Sequence, residues 1–581
     1  MKKRNLFFSL ICSIILTVAL VAVTVASVVV PNFGKNPLGP DSDHTSQGGQ
    51  EVNVPADIND NADGTEENPY YIYSAETFMA LINEHGAEGA YFELYNDVDF
   101  AGVDYVTLFN KDVAFNGHIN GNGYSLKNIT INVNKDNLNS FIYQSANDEN
   151  RYNAHIAIFG SIEDAEIRYL AVEGLKITVA DEVYTYVNNL DDLFGTDMGA
   201  AMNEITVASV AAIAKNSTVS VNVDAVIDAD AYSVYAENHV QGFNAIGGVV
   251  AVADNCVIAS EELTLPEEPE VEVPETPVEG EEVEVPETEE PVVDDAETVS
   301  DEVVEVEPEK VEAQVRPIVT GKVNVQIITN VEDRYFVGGV AGYAYDSTID
   351  GVNVNLTFTT RFIQALYVGG VVGYGETVTI QNTNVVLDAK ESDVRFDTSA
   401  VATIDDVKVA WVSGIACVLR ANDNTQVSTI NNVTVEADVD LDAIYAGAIN
   451  EIWSTDKTYD AGENYVTIKD VIVTSNVNVL KAFGLVKTGS HYQVELTKTV
   501  DDIENEFTYN IKLTGNVLLK NTDNSTVAAL YVGAVNDLLT GDRYCETVGG
   551  FETIKIEVSS SIYAQVEKLD TIRTFDVEIV G

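Results

Sequence analysis

Away from its two ends and one central stretch, the chain is built of short runs in which apolar and polar residues alternate, the period-two signature of β-strands. The runs follow a recurring two-part pattern. Its first part is a glycine-containing apolar strand, clearest in YFVGGVAGYA around Gly338 and YVGGVVGYG around Gly369, with weaker copies around Gly247, Gly414, Gly447 and Gly533. The second part is a Thr/Ser, Ile/Leu, polar, Asn/Asp/Gly, apolar alternation, seen in YSLKNITI (124–131), STIDGVNV (347–354), VTIQNTNV (378–385), TIDDVKV (403–409), STINNVTV (428–435) and VTIKDVIV (466–473). Gly338 and Gly369 stand 31 residues apart. A unit of three short strands and three turns takes about 20 to 30 residues, so each repeat fits one coil with variable loops. Each strand then pairs with its counterpart one coil away, about 4.8 Å along the axis. About ten coils give a rod of roughly 50 Å.

The glycines suit a tight corner or a close approach of backbones, and Asn or Asp at the second motif's polar position suits left-handed turn geometry. One helix is predicted, over SAETFMALINEHG (74–86), with Ser74 as N-cap and Phe78, Leu81 and Ile82 on one face. At the N-terminal end of a stack of coils it would cover the open edge of the first one.

Composition sets the boundaries. Residues 1–30 place Lys2, Lys3 and Arg4 before an uncharged apolar run, 6–30, which reads as an export signal; the run is also long enough to remain as a membrane anchor. Ile11 before Cys12 is too large for a lipobox. Residues 31–62 are rich in Gly, Pro, Ser, Asp and Asn and form a flexible spacer. Residues 63–258 hold the cap and the first part of the repeats, and 316–581 the second part. Between them, 259–315 carry roughly two dozen carboxylates, recurrent Pro and a single Lys, a composition that stays extended and unpacked. The whole chain has 93 Asp+Glu against 31 Lys+Arg, a net charge of −62, which excludes DNA, RNA and anionic lipid surfaces as partners. Membrane contact is confined to the N-terminal segment. The four cysteines, Cys12, Cys256, Cys417 and Cys545, lie too far apart for a clustered thiolate site and read as buried thiols.

The segment DGTEENPYYIYSAETFMALINEHGAEGAYFELYNDVDFAG (63–102), followed by FNGHINGNGYSLKNITI (115–131), resembles the entry of bacterial surface proteins with a pectin-lyase-like right-handed parallel β-helix. VGGVAGYAYDSTIDGVNV and VGGVVGYGETVTIQNTNV resemble GLUG-type repeats, which occur in such proteins and in some IgA-degrading peptidases. The resemblance implies an all-β, right-handed β-helical solenoid with an N-terminal capping helix, interrupted by the acidic insertion, on the outer face of the cell membrane or secreted. It does not fix an activity, because such folds host lyases, hydrolases, adhesins and inert stalks.

Chemical motifs are sparse. HExxH, GxSxG and P-loop patterns do not occur, which removes the peptidase, esterase and nucleotide-binding readings. Asp405 and Asp406 are adjacent on an expected strand and so point to opposite faces, and read as turn residues. His118 reads as an exposed turn residue. Asn59, Asn61, Asp63 and Gly64 imitate the start of a calcium loop, but the position of the bidentate Glu is Tyr70, so the segment reads as a linker. Gly121 belongs to a turn with no helix after it and is no phosphate cradle. No catalytic, cofactor or metal residue is therefore assigned, and calcium is the one ion the acidity invites. The expectation is a surface scaffold or adhesin-like protein without catalysis of its own, with a surface glycan or a protein of a host or neighbouring cell as partner. The alternative is a carbohydrate-active β-helix enzyme, a polysaccharide lyase or glycoside hydrolase, acting on an acidic glycan.

Overall fold

The computed structural model of the chain describes residues 58–264, 315–391, 410–421, 428–454, 466–487, 511–521, 530–535, 553–557 and 577–580, apart from short internal stretches at 60, 111–112, 146–147, 187–189, 195–199, 230, 233–243, 333–334 and 363–365. All the described residues belong to one unit, Val54–Gly581. The apolar N-terminal run, most of the spacer, TIDDVKV and most of the acidic stretch lie outside the described residues.

The described part is almost wholly β, and its strands pair mainly in parallel. Each repeat supplies three strand positions. At the first position Ala201–Ala208, Asn244–Gly247, Tyr335–Gly338, Leu366–Gly369 and Ala410–Ser413 pair in succession. At the second, Phe159–Glu163, Ala211–Lys215, Val250–Asp254, Ala341–Tyr345, Val372–Glu376 and Ala416–Ala421 do the same. The third holds the Thr/Ser-Ile alternation, as in Asn353–Phe362 on Thr379–Glu391 and Thr379–Glu391 on Ser428–Ser454. The 31-residue interval is a register: Gly338 faces Gly369, Tyr343 faces Tyr374, Ile349 faces Ile380 and Asn353 faces Asn384. Alternation sends one set of side chains inward, so Ile246, Val337, Val368 and Val412 form one fully buried line. Each such side chain contributes about 1.5–3 kcal/mol by leaving water.

Glycine is required where one repeat lies directly on the next. The amides of Gly339, Gly370 and Gly414 donate to the carbonyls of Gly369, Ser413 and Ala446 at 3.1, 2.9 and 2.9 Å. A Cβ on Gly339 would lie 2.1 Å from the Gly370 carbonyl oxygen, and one on Gly370 would lie 2.2 Å from that of Gly414. Gly414 and Gly447 thus continue the line of the second glycine, Gly339 and Gly370. Their copies of the motif are shifted by one residue from the Gly338 and Gly369 alignment, because Ser413 faces Gly369 and Ala446 faces Ser413.

Two lines of left-handed residues make the other corners. Asn128, Gly351, Asn382 and Asn432 adopt φ of 57°, 70°, 52° and 52° at the polar position of the second motif. Their side-chain amides bond along the stack: Asn432 Nδ2 donates to Asn382 Oδ1 at 2.9 Å, and Asn382 Nδ2 to Asp350 Oδ1 at 2.8 Å. A second line, after the second strand position, comprises Asp164, Asn216, Asn255, Asp346 and Thr377, with φ between 45° and 57°. Asn and Asp enter this region at small cost, whereas β-branched Thr377 is strained there.

The helix forms over Ala75–His85, one residue inside each predicted end. Ser74 Oγ accepts from the Thr77 amide at 3.1 Å, and Thr77 Oγ1 accepts from the Ser74 amide at 2.9 Å, a reciprocal cap. Phe78 and Ile82 are fully buried, and Phe78 packs 5.5 Å from Phe100 and 6.3 Å from Phe159. The helix therefore covers the start of the core. Parallel pairing has two exceptions among the described residues. Ile142–Ser145 folds back antiparallel on Asp148–Ile156, and Glu262–Leu263 runs antiparallel to Ile318–Val319.

The second exception is the root of the acidic stretch. Val257–Ala259 pairs with Thr348–Asp350, and Lys322–Glu332 pairs with Asn353–Phe362, so the stretch enters at the left-handed corner where the next repeat has only Gly351 and Val352. The root is fastened to earlier repeats: Thr320 Oγ1 lies 2.6 Å from Ser220 Oγ, and the Arg316 amide donates to the Asn122 carbonyl at 2.8 Å. Arg316 also binds Asp97 at 2.9 Å and lies over the Tyr124 ring at 5.0 Å.

Replacing Gly370 by Val is expected to destabilise the body by about 1–3 kcal/mol, because carbonyl backbone cannot yield to the added atoms. Thr377→Asn is expected to raise stability by about 1 kcal/mol by relieving left-handed strain, and Thr377→Val is expected not to. Denaturant melts of the three variants check both; an unchanged midpoint in Gly370→Val contradicts the close-approach account.

Candidate functional site

The outward side chains of the first and second strand positions hold most of the titratable and aromatic groups that come together. In the second position, Glu163, Lys215, Asp254, Tyr345, Glu376 and Arg420 succeed one another as Cα partners. Lys215 Nζ reaches Glu163 at 2.7 Å. Burial raises the pKa of Asp254 above the ordinary Asp value, against the pull of Lys215. Burial raises Glu376 likewise, against the pull of Arg420, and Asp346 adds to both. Two desolvated carboxylates two rungs apart, about 10 Å along the stack, match the spacing of an inverting glycosidase in outline. Such a pair needs open space for a sugar and a water, and here the phenol of Tyr345 stands on the rung between them.

Beside this column runs an aromatic one. Phe336, Tyr367 and Trp411 are successive Cα partners, stacked at 5.0 and 4.7 Å between ring centroids with interplanar angles of 28° and 6°. Tyr343 and Tyr374, from the second strand position, both pack edge-on against Phe336, at 5.0 and 5.4 Å. Phe336, Tyr367 and Tyr374 are buried in a cluster distinct from the main core. Burial pushes the Tyr374 phenol up to about 12, with Arg420 opposing. Sugar-binding aromatic platforms offer ring faces; here the faces of the stacked rings cover one another, so the column acts as a seam between repeats.

Where the first strand position begins, a polar cluster replaces the aromatics. His155 Nε2 lies 2.9 Å from Glu204 Oε1, both residues being buried. The Tyr143 hydroxyl, on the antiparallel strand, lies 3.1 Å from Nδ1 and 3.2 Å from Nε2 of His155, the two rings meeting edge-on, and Asn153 Nδ2 lies 3.4 Å from that hydroxyl. Thr206, the Cα partner of His155, is fully buried and its Oγ1 has no hydrogen-bond partner.

The residues singled out from sequence fare differently. His118 is not an exposed turn: it lies in the strand His118–Asn120, half-buried and stacked 4.3 Å from Tyr91, with Nδ1 3.6 Å from Glu166. Pairing with Tyr91 and Glu166 on either side draws the FNGH segment into the sheet before the turn. Gly121 does open that turn, completed by Asn122 and Gly123 at φ of 50° and 79°. Asn59 holds the Tyr71 backbone, donating at 2.9 Å and accepting at 2.8 Å, and Asp63 Oδ1 accepts from the Thr65 hydroxyl at 2.8 Å. Gly64, at φ 74°, packs under Tyr70. The segment is a turn tied to the first strand. Cys256 and Cys417 are buried, and burial pushes the Cys256 thiol up to about 11. Asp405, Asp406, Cys12 and Cys545 lie outside the described residues.

No family model matches the chain, and no solved structure matches it. A 124-residue stretch, 20% of the chain, is 32% identical to a protein of Evansella cellulosilytica named "Putative Gly-rich membrane protein". The chain matches 12% of that protein's length.

The raised pKa of Asp254 fixes the sign of one pH effect. A carboxyl whose folded pKa exceeds its unfolded value loses stability for the fold as pH rises through the folded pKa. Asp254→Asn is therefore expected to melt higher than the parent at pH 7, with the difference vanishing below the ordinary Asp value of 3.8. Melts across that range check it; an equal gain at both ends contradicts desolvation as the cause.

Proposed function

We propose that the chain is an extracellular or membrane-tethered surface scaffold whose body is a right-handed parallel β-helix of pectin-lyase-like, GLUG-type repeats. It presents its loops to a surface glycan or to a protein of a host or neighbouring cell. The in-register parallel pairing at three strand positions per repeat supports the β-helical reading, since a solenoid pairs each strand with its counterpart one repeat away. The positively flanked apolar N-terminus and the relative named as a membrane protein support a place at the membrane.

One observation favours scaffold over enzyme. On the face where carboxylates, a guanidinium and aromatic rings come together, the groups are engaged with neighbouring rungs, and Tyr345 occupies the gap between the two desolvated carboxylates. That arrangement stiffens the stack and sets an aromatic side chain on the rung between the two carboxylates, where an acid–base pair would need a sugar and a water.

Incubation of the protein with acidic polysaccharides, with and without calcium, is expected to yield neither unsaturated nor new reducing ends; either product overturns the scaffold reading. Protease treatment of intact cells is expected to release peptides from residues 54–581. Release only after lysis contradicts display at the surface.

A further inference from the structure

The tyrosines beside the aromatic column carry a chemistry that packing alone does not use. Tyr343 and Tyr374 are Cα partners on neighbouring rungs, and their ring centroids stand 5.3 Å apart at an interplanar angle of 45°. That separation is close to the strand spacing of about 4.8 Å, so the two phenols leave the sheet side by side. Their tilt turns an edge of one ring toward the other. Tyr367 and Trp411, at 6°, instead lie face on face, as do Tyr343 and Tyr345 at 11°. A flat stack sets ring carbons over a ring face, whereas a tilted pair brings carbons of the two rims together.

The surroundings suit loss of electrons and protons from this pair. Tyr343 and Tyr345 are half-buried, and the buried Tyr374 packs against both, its centroid 6.0 Å from that of Tyr345. Electrons pass between rings in contact, so Tyr374 need not meet an oxidant itself. Glu376, two residues beyond Tyr374, lies on the same outward face. Burial raises the pKa of that carboxyl above the ordinary Glu value, which makes it the better proton acceptor. The ladder holds the two phenols together from both sides, through Ala341 on Val372 and Ala344 on Gly375.

We propose that Tyr343 and Tyr374 form an oxidative cross-linking site, at which a peroxidase acting with hydrogen peroxide converts the pair to a dityrosine that joins two repeats covalently. Each phenol gives one electron to the oxidant and loses one proton, that of Tyr374 to Glu376 and that of Tyr343 to water. The two phenoxyl radicals couple through ring carbons adjacent to their oxygens. Each newly bonded carbon then releases its hydrogen as a proton while each oxygen takes one up, which restores both aromatic rings. The net loss of two electrons and two protons reduces one peroxide to two waters. The bond closes a loop across the 31-residue interval, so one repeat can no longer slip on the next.

The test exposes the dilute full chain to a peroxidase and hydrogen peroxide, isolates the monomer and maps dityrosine-linked peptides by tandem mass spectrometry. A link between Tyr343 and Tyr374 is expected as the main intramolecular product. Because the two rings are held in place, its yield is expected to exceed that of the chain oxidised in denaturant by at least about tenfold. Tyr343→Phe and Tyr374→Phe, which keep a ring at each position, are expected to abolish the link, and Tyr345→Phe is expected to leave it. Oxidised monomer without the link overturns the proposal, and so does an equal yield from the denatured chain or a link that is lost in Tyr345→Phe. Polysaccharide cleavage bears on the scaffold reading alone, so the two can fail separately.

Discussion

Backbone hydrogen bonding from each repeat to the next, in parallel and in register, is the constraint on which the other features of the body depend. The amide of one glycine meets the carbonyl of the next repeat at about the ordinary hydrogen-bond distance, as with Gly370 and Ser413 at 2.9 Å. Identical offsets in successive repeats then lie above one another, so whatever side chain is useful once becomes a column. Inward columns of Val and Ile fill the core, and outward columns become amide ladders at Asn382 and Asn432, a ring stack at Phe336, Tyr367 and Trp411, and a charge column through Asp254 and Arg420. The same rule explains why one carbonyl directly over a Cβ would be intolerable, and why the second glycine of each pair recurs where the first gives way to Ser413 or Ala446.

Register also governs how the stack accommodates irregularity. The acidic stretch enters at a corner already occupied by a left-handed residue in neighbouring repeats, so the strands on both sides keep their partners. Its root is held by Ser220, Asn122 and Asp97, which belong to earlier repeats. The start of the stack is treated differently. A capped helix places Phe78 against Phe100 and Phe159, and an antiparallel strand covers the edge of Asp148–Ile156. An uncovered edge of parallel strands would offer unpaired backbone groups to other chains.

Much of this is legible in the sequence, for a physical reason: features that repeat at fixed offsets need no knowledge of distant contacts. The 31-residue interval, the Ser74 cap and the left-handed Asn residues of the second motif are of this kind. The second left-handed line was open to the same reasoning, since Asn216, Asn255 and Asp346 each follow a strand and precede Ser or Cys, yet its members are not identical enough to stand out. The aromatic column had a signal too, in aromatic residues two positions before Gly338 and Gly369. The glycines around His118 suggest a turn, whereas its strand partners Tyr91 and Glu166 are set by neighbouring rungs and leave no local mark. The meeting of Tyr143, His155 and Glu204 had no local signal at all, because it depends on a strand that reverses direction and a partner 49 residues away.

Register is therefore what should be measured. Asn355 and Val386, both exposed, are Cα partners in adjacent repeats, whereas Asp388 is two residues further along the same strand. Parallel neighbours lie about 4.8 Å apart, within the range a disulfide spans, and a slip of two residues puts the pair beyond about 7 Å. In a background with the four native cysteines replaced by serine, Asn355→Cys with Val386→Cys is expected to form an intramolecular disulfide under mild oxidation, and Asn355→Cys with Asp388→Cys is expected not to. Free thiols in the first pair, or equal cross-linking in both, would contradict the in-register stack.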